Sequence, residues 1–201
     1  MKIVITGGPC NGKTTIINAL RKKGYFVVEE IPRKVIIEKQ YSRYLDRYKD
    51  EALDLQKDIY TAQISKEKDL DKADELYSNI MFLDRGYVDP QVYCKHLSGY
   101  IPAEMLYPNV KKYGMIIILE RLPMVDDGLR RETDEEAEKI QQKITQAYID
   151  EGYNPIFIPI MSVEKRVKAI LEIVNTIENK TENKTKTKAI EKSMQKNLME
   201  V

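Results

Sequence analysis

The run Gly7-Gly8-Pro9-Cys10-Asn11-Gly12-Lys13-Thr14 constrains this chain more than any other feature. It fits G-x-x-x-x-G-K-[ST] at every fixed position. An apolar stretch at residues 2–6 precedes it, and Ile16, Ile17, Ala19 and Leu20 follow at helical spacing. A strand, a glycine-rich turn and a helix start therefore meet at one joint. The glycines let successive N–H groups converge on an anion, and the helix N-terminus adds its positive dipole end. Lys13 is placed to reach the β- and γ-phosphates of a nucleotide, and the Thr14 hydroxyl to ligate Mg²⁺. The expected nucleotide-binding set is Gly7, Gly8, Pro9, Cys10, Asn11, Gly12, Lys13, Thr14 and Thr15. Cys10 falls at a variable position and needs no redox role.

Further apolar runs at 25–29, 79–84, 114–120 and 154–160 alternate with long amphipathic stretches. That alternation predicts an α/β fold, a parallel sheet with covering helices. Several runs are apolar on both faces, as strands between two helical layers must be. From Arg33 to Arg85 there is neither Gly nor Pro, and Tyr41, Leu45, Tyr48, Ala52, Leu55, Ile59 and Ala62 recur at spacings of four and three. This predicts a helix, with Pro32 in its first turn. Thr133 with Glu136 reads as a capping box. The helix it opens carries Ala137, Ile140, Ile144, Ala147 and Tyr148 on one face, with Gly152 as its stop.

Composition narrows the classes. The chain has 201 residues, 42% of them hydrophobic, which suits one domain. Its 33 basic and 32 acidic residues nearly cancel, against a protein that coats nucleic acid. Two cysteines and one histidine exclude a disulfide framework and a four-ligand zinc site, and suit the cytoplasm. No apolar run approaches the roughly 20 residues a membrane span needs, and no signal-length apolar segment opens the chain. From Asn175 onward Lys, Thr, Asn and Glu dominate. The expected organisation is a domain over 1–175 and a mobile polar tail over 176–201.

Three charged clusters sit where a parallel sheet would present its ligand crevice. Residues 80–83 are apolar and end in Asp84, which either serves the phosphates, through Mg²⁺ or as a base, or caps the next helix; Arg85 follows, able to contact phosphate. Glu29 and Glu30 end the second run. One of them should face the crevice, where a carboxylate can deprotonate an acceptor hydroxyl, and Arg33 is one helical turn from Glu30 as a possible structural partner. Asp126-Asp127-Gly128-Leu129-Arg130-Arg131 reads as a loop after the fourth strand, either closing arginines over a polyphosphate or simply solvated.

Taken in order, these pieces resemble the NadR-type AAA domain family of P-loop proteins, which includes ribosylnicotinamide kinase domains and a GTP-binding trafficking protein. The resemblance runs over about residues 1–175. It rests on the phosphate loop through Thr15, Val28-Glu29-Glu30 with Arg33, Phe82-Leu83-Asp84-Arg85-Gly86 with Asp89 and Tyr93, and Asp127-Gly128-Leu129-Arg130. It continues with Ala147-Tyr148, Gly152-Tyr153, Pro159 and Val163-Glu164-Lys165-Arg166-Val167. In wider outline the chain is similar to nucleoside and thymidylate kinases. The resemblance implies a P-loop NTPase fold of three α/β/α layers, a five-stranded parallel sheet of order 2-3-1-4-5, and a lid between strands four and five. It also implies acceptor contacts from Arg33, Asp89 and Tyr93.

The expected function is an ATP-dependent small-molecule kinase acting on a nucleoside- or nucleotide-like acceptor. Lys13, Mg²⁺ on Thr14 and Asp84, and the loop amides hold the donor. Glu30 is the first choice of base and Asp84 the second, while Arg85 and Arg130 neutralise charge. Tyr41, Tyr44, Tyr87 and Tyr93 are available to stack on an acceptor ring. The alternative is a regulatory nucleotide-binding ATPase or GTPase-like protein with slow hydrolysis. The guanine signature Asn-Lys-x-Asp is missing, since Asn179-Lys180-Thr181-Glu182 lacks the Asp. An RNA-binding role for the Lys-rich tail is disfavoured because Glu178, Glu182, Glu191 and Glu200 dilute its charge.

Overall fold

A computed structural model describes residues 1–39, 41, 49–77, 80–122 and 133–177. Five strands, β1 (Lys2–Thr6), β2 (Phe26–Val28), β3 (Met81–Asp84), β4 (Met115–Leu119) and β5 (Ile156–Ile158), form one parallel sheet in the order β2-β3-β1-β4-β5. Each lies inside a run that the sequence pattern predicts. Helices α1 (Lys13–Lys22), α2 (Ile31–Glu38), α3 (Lys49–Tyr77), α4 (Val88–Ser98) and α5 (Asp134–Asp150) connect them, and the last helix among the described residues, α6, covers 163–177. A short 3₁₀ turn, Ala103–Met105, precedes β4.

The two-residue period of a strand explains why the sheet is apolar on both faces. Ile3, Ile5, Phe82, Ile117 and Leu119 face α1 and α6, packing on Ile16, Ile17, Leu20, Val167, Ile170 and Val174. Val4, Leu83, Ile116 and Ile118 face the opposite layer, packing with Tyr60, Val88, Val92, Ile140, Ile144 and Tyr148. Register then places functional residues side by side: Ile5 pairs with Asp84 and Thr6 with Ile118, so β1, β3 and β4 end together at the mouth of the phosphate loop.

One expectation changes. The stripe from Tyr41 is not one helix opened by Pro32. Pro32 starts α2, which closes at Lys39, and Tyr41 lies outside helix with its N–H on Ile36 O. The cause is tertiary: Ile31 and Val35 of α2 fold back onto Leu55 and Ile59 of α3, which a straight helix could not do. Among the described residues helix continues through 177, where Ile177 packs against the core. The α5 termini agree with expectation. Thr133 and Glu136 exchange both bonds of a capping box. Gly152, at φ 84°, ends the helix by giving its N–H to Ile149 O while Tyr153 N–H reaches Tyr148 O.

Candidate nucleotide-binding and phosphoryl-transfer site

The phosphate loop turns directly from β1 into α1. Gly12 caps α1 in the left-handed conformation, φ 78°, and its carbonyl accepts the first helical bond from Ile16 N–H. A residue with a Cβ would be strained there. Lys13, nearly buried, donates from Nζ to Gly7 O at 2.9 Å and Gly8 O at 2.7 Å, folding over the loop that its own helix closes. Burial, with Arg85 adding repulsion, lowers its pKa to about 7 despite Asp84, Asp89 and Glu30 nearby. Thr14 and Thr15 are exposed at the helix start, and Pro9 and Cys10 are half-buried.

Asp84 meets this loop from the end of β3. Its Oδ2 accepts from Thr14 Oγ1 at 3.2 Å, while Oδ1 is buried without a hydrogen-bond partner. Burial raises its pKa to about 6, against the pull of Arg85 and Lys13. Asp84 does not cap α4, the other role its position allowed. That helix begins at Val88, its N-cap Tyr87 makes no side-chain cap bond, and Gly86 N–H is taken by Asp89 Oδ2 at 3.1 Å.

The two glutamates after β2 divide. Glu29 pairs with Arg21 at 2.6 Å on the surface, whereas Glu30 lies 3.5 Å from Arg85 Nη2. Arg33, suggested as the structural partner of Glu30, is not its ion-pair partner; Arg85 takes that place across 55 residues of chain. Glu30, Arg33, Thr14 and Asp84 line one cleft of about 280 Å³ between α1 and α2. Burial by itself would lower the Arg85 pKa, but Tyr93, Asp89 and Glu30 hold it above its ordinary value. The Tyr93 ring centroid is 5.8 Å from the guanidinium carbon.

Asp89 does not open onto the cleft as an acceptor contact would. It is 1% exposed, and its carboxylate accepts from Thr6 Oγ1 at 2.5 Å, Tyr148 Oη at 2.7 Å and Gly86 N–H. Tyr87 is likewise in the core, stacked on Tyr113 at 5.3 Å, and Tyr41 donates to Asp58 Oδ2 at 2.6 Å, so neither lines the cleft. Tyr44 and, of the lid expected over 121–132, residues 123–132 with Arg130 lie outside the described residues, as does the chain beyond 177.

Two residues that sequence reasoning gave no role brace the loop from behind. Gln141 of α5 accepts at Oε1 from Gly8 N–H, 2.7 Å, and Asn11 Nδ2, 2.6 Å. Arg166 of α6 donates to three main-chain carbonyls, Asn11 at 2.8 Å, Glu120 at 2.8 Å and Pro159 at 3.0 Å, and is 2% exposed. Their signal was a polar residue on an apolar helical stripe: Gln141 sits four after Ala137 and three before Ile144, and Arg166 three after Val163 and four before Ile170.

This geometry accompanies a family match: residues 2–166 fit the model of an AAA domain. The chain belongs to that AAA domain family. Among curated proteins, none matches it. Solved structures share the fold of this AAA domain. A deoxyadenosine kinase from M. mycoides, with products dCMP and a flexible dCDP bound, is 20% identical with a TM-score of 0.63, the match covering 88% of this chain and 100% of that one. A NadR protein in complex with NR is 18% identical with a TM-score of 0.62, over 85% of this chain and 50% of that one. Shikimate kinase from Aquifex aeolicus is 16% identical with a TM-score of 0.52, over 89% and 98%. The five-stranded order and the layers of helices are those of P-loop kinases.

Proposed function

We propose that this AAA domain is an ATP-dependent small-molecule kinase that moves the γ-phosphoryl group to a hydroxyl or phosphate oxygen of a nucleoside- or nucleotide-like acceptor. The observation that carries the reading is the convergence of Lys13, Thr14, Asp84, Glu30 and Arg85 at the ends of β1, β2 and β3. A binding module needs only the first two. The additional carboxylate and arginine beside an open cleft supply a base and a charge neutraliser for an acceptor.

Mg²⁺ fits the residues present. The unpartnered Asp84 Oδ1 and the Thr14 hydroxyl are hard oxygen donors side by side. Among the described residues no group of three or more His, Cys, Asp or Glu could hold a metal. That suits an ion coordinated largely by nucleotide oxygens and water. Bound there, it would neutralise charge on the β- and γ-phosphates.

The chain's own residues supply the rest. The loop amides and Lys13 hold the polyphosphate in line. Glu30 accepts the proton of the attacking hydroxyl as that oxygen bonds to the γ-phosphorus and the bond to the β-bridging oxygen breaks, leaving ADP. Arg85 neutralises charge as it spreads over the equatorial oxygens, and Arg130, outside the described residues, is assigned the same role. Arg33, which lines the cleft, contacts the acceptor, and Tyr93 packs its ring on the Arg85 guanidinium. The test is ADP release from Mg-ATP alone against release with nucleosides, nucleotides, ribosylnicotinamide or shikimate. Stimulation of at least tenfold by one acceptor, with a phosphorylated product, supports a kinase; equal slow release with every compound means a nucleotide hydrolase.

A further inference from the structure

Arg85 occupies a backbone conformation that a non-glycine residue adopts at a cost, φ 74°, and the polar groups around it explain how it is kept there. Its N–H extends the β-ladder to Ile5 O at 3.1 Å. Beyond that point three successive groups are each held by a side chain. Arg85 O accepts from Gln63 Nε2 at 3.4 Å, Gly86 N–H donates to Asp89, and Tyr87 N–H donates to Tyr113 Oη at 2.8 Å. The three side chains come from α3, α4 and the turn before β4.

These clamps are tied to one another. Tyr113 Oη donates to Glu67 Oε1 at 2.6 Å, and Gln63 Nε2 donates to the same oxygen at 2.9 Å. Glu67 Oε2 accepts from Lys2 Nζ at 3.0 Å. Gln63, Glu67, Asp89 and Tyr113 are each no more than 5% exposed. Burial and the Glu67 carboxylate hold the Tyr113 phenol well above its ordinary pKa, so it stays a donor. The turn is fitted closely to them. A Cβ on Gly86 would stand 2.6 Å from Tyr113 Oη and 2.7 Å from Tyr148 Oη.

An apolar core would stabilise the fold as well as this buried set of charges and hydroxyls. What the set adds is direction: without it the Arg85 backbone relaxes, and the guanidinium swings away from Glu30. We infer that Tyr113 and Glu67, which lie behind the cleft, are positioning residues that hold Arg85 in its left-handed turn for phosphoryl transfer. The inference rests on the kinase reading for its kinetic effect and on the Arg85 geometry for its structural one.

The test compares Tyr113→Phe, which removes only the shared hydroxyl, with Leu70→Ala, a core truncation in the same cluster outside the chain of bonds. Tyr113→Phe is expected to lower kcat by about tenfold or more with the Kd for Mg-ATP within about twofold of wild type, because misplacement of one reacting group costs rate more than ground-state affinity. Leu70→Ala should lower Tm but leave kcat of the folded protein unchanged. The Arg85 Nε–H cross-peak in a ¹H–¹⁵N spectrum, assigned by its loss in Arg85→Lys, should shift or broaden in Tyr113→Phe and not in Leu70→Ala. Wild-type kcat together with an unmoved cross-peak in Tyr113→Phe overturns the inference. If wild-type protein phosphorylates no acceptor, the kinase reading fails and the cross-peak alone decides. Should Tyr113→Phe not fold, Gln63→Met, which removes the donor to Arg85 O, is read the same way.

Discussion

Thr14 Oγ1 donates to Asp84 Oδ2 across 3.2 Å, so the first turn of α1 and the last residue of β3 meet at a single hydrogen bond. Seventy residues of chain separate them. The parallel register of β1 and β3 closes that gap, because Ile5 and Asp84 are paired neighbours. A nucleotide in the phosphate loop would lie against both side chains.

Asp84→Asn and Glu30→Gln should therefore fail differently. The Asp84 variant needs a higher Mg²⁺ concentration for half-maximal transfer, because the amide is a weaker hard-cation ligand. The Glu30 variant binds Mg-ATP normally and loses about 10²-fold or more in kcat with a hydroxyl acceptor. Mg²⁺ titrations of initial rate for each variant check both, and full transfer by Glu30→Gln would remove Glu30 from the mechanism.

Lys13 gives a pH dependence. In the empty site its pKa is lowered to about 7, so a growing fraction of the free protein is neutral above that pH. Polyphosphate binding favours the charged form, so binding takes up a proton. Affinity for Mg-ATP should be nearly flat between about pH 6, below which Asp84 takes up a proton, and pH 7, and weaken by roughly tenfold per unit above that, until other groups titrate. Calorimetry in two buffers of different ionisation enthalpy measures the uptake, and Lys13→Ala, which binds weakly throughout, should show none.

Arg166→Ala would strip the donor from three carbonyls at once, at Asn11, Glu120 and Pro159. The buried Asn11 carbonyl left unpaired costs about 1–3 kcal/mol, and the part-buried carbonyls of Glu120 and Pro159 less, so Tm should fall by several degrees. Arg166→Lys should recover only part of the loss, since an ammonium cannot reproduce the planar fork. Thermal unfolding of both variants decides, and equal recovery by Lys would show that charge, not geometry, matters there.

Gln141→Leu tests the loop brace separately. The Gly8 N–H and the Asn11 amide lose their shared acceptor while the helix keeps its apolar packing. The expected result is a nucleotide Kd raised about tenfold with a smaller change in Tm than Arg166→Ala gives. Equilibrium binding of a fluorescent ATP analogue reads it directly.

Local chemistry determined a good part of this protein from the sequence. The phosphate loop, all five strand runs and both ends of α5 follow from nearest-neighbour rules. Glycine conformations, two-residue apolar period and capping pairs act over only a few residues, so they are visible without a fold. Buried polar residues were partly visible too: Gln63 and Glu67 interrupt the stripe between Tyr60 and Leu70, as Gln141 and Arg166 interrupt theirs. What such an interruption touches is not a local property. That Glu30 pairs with Arg85 rather than Arg33, that Asp89 turns inward to Thr6 and Tyr148, and that α2 breaks from α3 were decided by tertiary structure. The physical reason is common to all three. A buried charge or hydroxyl must be paired, and an apolar face must be covered, by whichever partner the packed sheet brings near, however distant it is along the chain.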